Sequence, residues 1–290
     1  MHTQILYLLI ILSLYSCTKE ADIDPPDTQK KPVITCFISP DEPQISVRIG
    51  LSIPRFGVDS TQQKKYLIKD ARVEIKSIKR SILLSYDASN GIYTASDDTL
   101  EFLRPGFIYT LSVQTSNYGI LTATTQIPTQ TMMCDSVSTK SIHAMDSYLS
   151  VNAYIRGPER EYNRMAMVFN AQVFDLNTLI SPLDTLLIGN TFINYLEEEG
   201  LLKQKSFRVS NDIYVFKNDT LNQNLFLKCE LALMQSDTAF YAYHKSLQLG
   251  LDNNGNPFAD PVMIYSNING ALGCFGSYRL RYFTFRKYLK

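Results

Sequence analysis

From Lys31 to about Pro128 apolar and polar residues alternate in short runs, which is the period of a half-buried β-strand. The runs are "VITCFIS", "QISVRIGLSI", "ARVEIKSI", "SILLSY", "GIYTAS", "FIYTLSVQT" and "ILTATTQIP", all rich in β-branched side chains. Asn90-Gly91, Pro105-Gly106 and Asn117-Tyr118-Gly119 separate several of them and supply turn chemistry. Short strands with frequent turns predict an immunoglobulin-like or transthyretin-like β-sandwich over residues 31–130. Pro128 and the polar stretch after it mark a domain boundary near residue 130.

A second β-rich domain is expected over residues 131–290, from "YLSVNAYI", "RMAMVFNAQVFD", "SFRVSNDIYVF", "LFLKCELALM" and "SYRLRYFTFRKYL". One segment changes period. In "SDTAFYAYHKSLQLGLDNNG", Phe240, Tyr243, His244, Leu247 and Leu251 recur at helical spacing behind Ser236 and Asp237, which suit an N-terminal cap. The spacing predicts one amphipathic helix near residues 236–251, and "TFINYLEEEGLLKQ" suggests a second, shorter one. The fold class is therefore mostly β with one amphipathic helix in the C-terminal domain.

The N-terminus departs from both patterns. The apolar run from Ile5 to Tyr15 is shorter than the roughly 20 residues a membrane-spanning helix needs, and reads as a signal-peptide core over residues 1–16. Leu14, Ser16 and Cys17 resemble a lipobox, in which cleavage precedes the cysteine and acyl chains are added to it; Tyr15 is larger than the residue usual there. An ordinary secretory peptide is the alternative. Several acyl chains, at about 0.8 kcal/mol per buried methylene, would hold Cys17 on a membrane. Residues 17–30 contain too few apolar side chains to fold and form a flexible tether of about 40 Å. "KEAD" just after Cys17 resembles the surface-export signals of Bacteroidota lipoproteins. The expected location is the outer membrane, with the protein lipid-anchored and exposed at the cell surface.

Charge narrows the partners. Lys plus Arg and Asp plus Glu balance at 28 each, so no long-range field draws in a polyanion and nucleic-acid binding is not expected. The absence of Trp weakens the case for a sugar-stacking platform.

Chemistry-bearing residues are sparse. Cys36, Cys134, Cys229 and Cys274 form no C-x-x-C pair, which removes zinc-ribbon and dithiol redox readings. Each stands among apolar residues, and three readings remain open: buried small hydrophobes, a disulfide among them, or one reactive nucleophile. His143 and His244 are the histidines beyond the signal, too few for a histidine-rich metal centre. His244 lies on the apolar side of the expected helix and is read as packed; a Cys274–His244 dyad can be written, but no spacing asks for it. "DNNGNPFAD" resembles the start of a calcium loop, yet Pro257 and Met263 stand where glycine and a bidentate glutamate are needed. Glu197, Glu198 and Glu199 point around a helix rather than into one site. Arg279 and Arg281 share a strand face, read as a solvated edge or an anion-binding surface. No cofactor and no catalytic set is expected.

The stretch "SNINGALGCFGSY", residues 266–278, could imitate a phosphate cradle through Gly270, Gly273 and Gly276. A phosphate loop hands its anion to a helix, whereas an alternating strand follows here, so a tight corner is the better reading.

"NPFADPVMIYSNINGALGCFGSY" resembles the signature of a Bacteroidota lipoprotein family, domain of unknown function 4249. "KPVI" at Lys31 to Ile34, the "DA-x-V-x-I" pattern at Asp70 to Ile75, "DSV" at Asp135 to Val137 and the helix "FYAYHKSL" fit as well; Ala271 replaces a usual glycine. The resemblance implies an outer-membrane lipoprotein found alongside TonB-dependent transporters, with no catalytic residues. The expected function is a non-enzymatic binding or accessory subunit working with a TonB-dependent β-barrel receptor. An adhesin-like surface module and a surface hydrolase are the alternatives.

Overall fold

The computed structural model describes residues 30–53, 64–95, 99–141, 148–157, 164–175, 206–214, 225–253 and 259–289. The signal, the tether, Cys17, His143, the Glu197–Glu199 run with its expected short helix, and most of the calcium-like loop lie outside these residues.

Residues 31–290 form one compact unit. Seven strands come first: β1 (Pro32–Ile38), β2 (Ile45–Leu51), β3 (Arg72–Lys76), β4 (Ser81–Asp87), β5 (Ile92–Ala95), β6 (Ile108–Thr115) and β7 (Gly119–Gln126), with one helical turn, α1 (Thr99–Phe102), before β6. They are followed by β8 (Met133–Ser141), β9 (Tyr148–Arg156), β10 (Arg164–Asp175), β11 (Ser206–Tyr214), β12 (Leu225–Ser236), helix α2 (Thr238–Asp252) and β13 (Leu272–Leu289). Ten strands pair in the order β10-β12-β13-β1-β2-β5-β4-β3-β6-β7, and β11-β9-β8 form a separate sheet.

The sandwich arises because β4 serves two neighbours. Ser81–Leu84 pair with β3 and Ser85–Asp87 with β5, so the ladder turns over on itself at this strand. Alternation then sends Ile34, Cys36 and Ile38 of β1, Val73 and Ile75 of β3, and Leu111 and Val113 of β6 into one shared core. Burial of each large aliphatic side chain stabilises the fold by about 1.5–3 kcal/mol. Two tyrosines seal the core with bonded hydroxyls. Tyr93 Oη donates to Ile68 O at 3.0 Å and accepts from Ala71 N at 2.9 Å, and Tyr109 Oη donates to Phe102 O at 2.9 Å.

The long strand β13 ties the N- and C-terminal stretches together. Leu272–Ser277 run parallel to β1, and from Tyr278 onward the strand pairs antiparallel with β12. The sheet thus passes across the position near residue 130 at which the sequence places a boundary.

The "SNINGALGCFGSY" stretch is the corner that allows this. Gly273 has φ +108°, and a Cβ there would sit 1.9 Å from Ile34 O. A Cβ on Gly276 would meet the backbone of Phe240 at 2.9 Å, so this glycine lets α2 rest on the sheet. Asn267 holds the corner by behaving as a strand residue, its Oδ1 accepting from Phe275 N at 2.9 Å and its Nδ2 donating to Phe275 O at 2.8 Å.

Helix α2 begins where Ser236 and Asp237 suggest. Asp237 is the N-cap, in extended conformation, with Oδ1 accepting from Phe240 N at 2.8 Å. Only the N-terminal part of the expected apolar stripe is covered: Leu247 and Leu251 stand 37% and 60% exposed. The first two turns meet β1 and β13 through aromatic rings, and the last two extend past that contact.

Candidate functional site

β7 and the N-terminus of α2 border a cleft of about 680 Å³. Thr124, Thr129, Asp237, Tyr265, Asn267 and Ile108 are among the residues around it. β7 contributes by strict alternation, with Thr125 buried and Thr124 and Gln126 exposed.

The backbone of β7 is directional in the same way, because successive residues of an antiparallel strand turn toward and away from their partner. Ile127 N donates to Phe107 O at 3.1 Å, whereas Thr122 O accepts from Asn269 N at 2.8 Å. Odd-numbered residues therefore face β6 and even-numbered ones face away. Thr124, which borders the cleft, therefore turns its N–H and C=O away from β6.

The cleft wall hides a chain of hydroxyls. Asp237 Oδ2 is hydrogen-bonded to Thr125 Oγ1, which lies 2.9 Å from Ser277 Oγ, and Ser277 Oγ donates to Gln126 O at 2.8 Å. Three contacts need three protons, and the two hydroxyls bring two. A proton on Asp237 completes the set, running from Asp237 through Thr125 and Ser277 to the Gln126 carbonyl. Burial acts in the same direction and raises the Asp237 carboxyl above the ordinary aspartate range. Asp237 is the one side chain of the cleft wall among the described residues that is charged in its ordinary state.

Behind α2 lies an aromatic cluster. Phe37 of β1 meets Phe240 edge-on at 4.7 Å, and the Phe240 ring stacks on His244 at 4.1 Å. His244 Nδ1 is 2.9 Å from Phe240 O and must donate, since a carbonyl only accepts. Burial lowers its pKa, keeping the ring neutral. Cys274 Sγ donates to Ala239 O at 3.4 Å, and burial raises its thiol pKa. Each half of the conceivable Cys274–His244 dyad is thus engaged by a helix carbonyl, and a buried neutral thiol is a poor nucleophile.

A family model described as "Domain of unknown function (DUF4249)" matches residues 18–281. The chain belongs to this family. None of the curated proteins matches the DUF4249 chain. Among solved structures it is similar to the FN1–FN3 domains of chicken CNTN1 at 13% identity, covering 71% of this chain and 61% of that one, with a TM-score of 0.32. An adhesin described as Ca²⁺-stabilised and as helping an Antarctic bacterium bind ice is similar at 10% identity, covering 73% of this chain and 46% of the other, with a TM-score of 0.21. The DUF4249 chain spans less than two thirds of either structure.

The remaining sequence-derived sites of the DUF4249 chain fall as follows. Cys36, Cys134 and Cys274 are free thiols, and Cys229 lies in β12 opposite Ala171 and Phe285. Cys36 points into the core beside Phe275, while Cys274 points to α2, so the two occupy opposite faces of the sheet and cannot join. In the folded protein, alkylation followed by peptide mass spectrometry should modify Cys134 about a hundredfold faster than Cys36 or Cys274, which await local opening. Even Cys134 reacts slowly, since partial burial pushes its thiol up to about 11. Equal rates for all three would contradict this placement.

The expected solvated arginine pair is half met. Arg281 is exposed, but Arg279 is 11% exposed and grips Asp41, with Nε 2.7 Å from Oδ2 and Nη2 3.2 Å from Oδ1. Leu280 N donates to the same Oδ2 at 2.8 Å, which fastens the β1–β2 turn to the point where β13 changes partner. An anion-binding reading is therefore replaced at Arg279 by a structural ion pair. The hydroxyl chain is the feature that sequence reasoning missed. Thr125 stands 112 residues from Asp237 and 152 from Ser277, and nothing in their local pattern relates them.

Proposed function

We propose that this DUF4249 protein is a non-enzymatic binding or accessory lipoprotein, anchored at the outer membrane through acylated Cys17 and working beside a TonB-dependent β-barrel receptor. One observation carries the non-enzymatic part. Among the described residues, the groups best suited to chemistry already have structural duties: His244 and Cys274 bond helix carbonyls, Asp237 caps α2, and Arg279 is held by Asp41. What is left there is a polar cleft, which suits recognition. The anchor is supported by the lipobox-like Leu14, Ser16 and Cys17 and by the tether that follows. Among the described residues no helix is long and apolar enough to cross a membrane.

The test is capture of the tagged full chain from membranes dissolved in mild detergent. A TonB-dependent barrel should co-purify, and Cys17→Ala should move the protein from the membrane to the soluble fraction. Capture without any barrel removes the accessory role. A membrane-bound Cys17→Ala protein removes the anchor.

A further inference from the structure

Helix α2 leaves part of its sheet face uncovered. β1 and β2 pair so that Thr35 stands opposite Arg48 and Phe37 opposite Ser46. Alternation along β2 sends Ile45, Val47 and Ile49 into the core, and Ser46 and Arg48 to the other face. That face is the one on which α2 rests, since the Phe37 ring meets Phe240 there. Beside the helix these side chains border a cavity of about 570 Å³, together with Glu42 of the β1–β2 turn and Tyr278 of β13. Its volume is in the range of small-ligand sites.

Two opposite charges border this cavity and do not pair with each other. Glu42 is engaged by the Tyr278 hydroxyl, which donates to its carboxylate. Among the described residues no hydrogen bond or ion pair holds Arg48, which stands exposed on β2. The strand advances about 7 Å from Ser46 to Arg48, and Glu42 lies on the other side of Ser46 in the chain, toward the turn.

We propose that this cavity binds a short peptide of two or three residues with both termini free, its carboxylate on Arg48 and its ammonium group on Glu42. This rests on the accessory reading and deepens it by naming the class of cargo held. A plain anion meets repulsion from Glu42, and a plain cation meets it from Arg48. A guest with one charge of each sign at opposite ends satisfies both, whereas a neutral sugar uses neither. The guanidinium suits a carboxylate because it presents two parallel donors. The Tyr278 ring next to Glu42 adds attraction for an ammonium group. Three extended residues span about 10 Å, which suits charges set more than one strand step apart. Between the two ends Gln44 and Ser46 offer polar contact to the guest's amides, and Phe37 and Ile92 offer apolar contact to its side chains.

The probe is tri-alanine, added to the full chain purified in detergent and labelled with ¹⁵N-arginine. It should shift the Nε–H signal of Arg48, which is assigned by its loss in Arg48→Gln. Titration calorimetry then gives affinities. Acetylating the N-terminus of tri-alanine or amidating its C-terminus should each weaken binding about tenfold or more, the worth of one hydrogen bond to a charged group. The two caps should report on different residues. In Arg48→Gln amidation should cost nothing further while acetylation keeps its cost, and in Glu42→Gln the reverse should hold. Neither variant threatens the fold, because Arg48 is exposed and Glu42→Gln keeps an acceptor for Tyr278. An unmoved Arg48 signal at millimolar tri-alanine, caps that act alike in both variants, or a shift with maltotriose and none with tri-alanine overturns the proposal. If the barrel is captured while tri-alanine leaves Arg48 unmoved, this proposal fails and the accessory reading stands. If tri-alanine binds with the crossed pattern and no barrel is captured, the site stands and the accessory reading fails.

Discussion

Gly273→Ala should cost about 4 kcal/mol or more, enough to unfold a domain of ordinary stability. Two penalties combine. The φ of +108° lies where an L side chain is strained, and the new Cβ would sit 1.9 Å from Ile34 O, a backbone atom of the strand next door. Relief requires β1 and β13 to separate where they pair from Val33 to Ile38. That pairing joins the sandwich to β12 and α2, so the damage spreads well beyond one residue. Gly119→Ala isolates the conformational part. Its φ is +73° and nothing lies within 4 Å of the added methyl, so it should cost only about 1–2 kcal/mol. Urea unfolding of the two variants checks the contrast. Equal losses would mean that the corner is not the close backbone approach described above.

Asp237→Ala should cost about 3 kcal/mol, because it removes the cap of α2 and leaves the Thr125 hydroxyl short of a partner in a buried chain. Asp237→Asn is the informative partner. Its carbonyl can accept from Phe240 N and its amide can donate to Thr125, which reproduces the protonated acid, so it should lie within about 1 kcal/mol of the parent. The pH dependence has a definite sign. The folded carboxyl titrates above its unfolded range, so the stability it contributes is full below about pH 4 and is lost as pH rises through the raised folded value. Denaturant titrations from pH 4 to pH 8 should show the Asn variant gaining on the parent as pH rises. Thr125, Ser277, the Phe240 amide, the Cys274 thiol and the nearby Tyr265 phenol face the carboxyl. If Asn proves as damaging as Ala across that range, Asp237 is ionised in the native state and the proton count is wrong.

Much of the local structure was legible because it depends on neighbours in sequence. Alternation in "VITCFI" placed Ile34, Cys36 and Ile38 in the core, and the strand β1 buries those positions. The helix was legible from the period of Phe240, Tyr243 and His244 and from the Asp237 cap. The overreach at Leu247 and Leu251 has a plain cause. Periodicity says which residues share a face, but not how far the facing sheet extends. Arg279 failed in a related way: its alternation with Leu280 implied solvent, while the Asp41 carboxylate that covers it comes from 238 residues earlier.

The sequence by itself determined the β-rich character of the chain, its turns, the start of helix α2 and the corner glycines, because each follows from side-chain period and local backbone freedom. Only the tertiary structure decided that β13 first joins β1 and then β12, that Asp237, Thr125 and Ser277 form one buried chain, and that Thr124 faces a cleft. Those are meetings of residues dozens to hundreds of positions apart, selected by the burial of a whole sheet, and no local pattern encodes them.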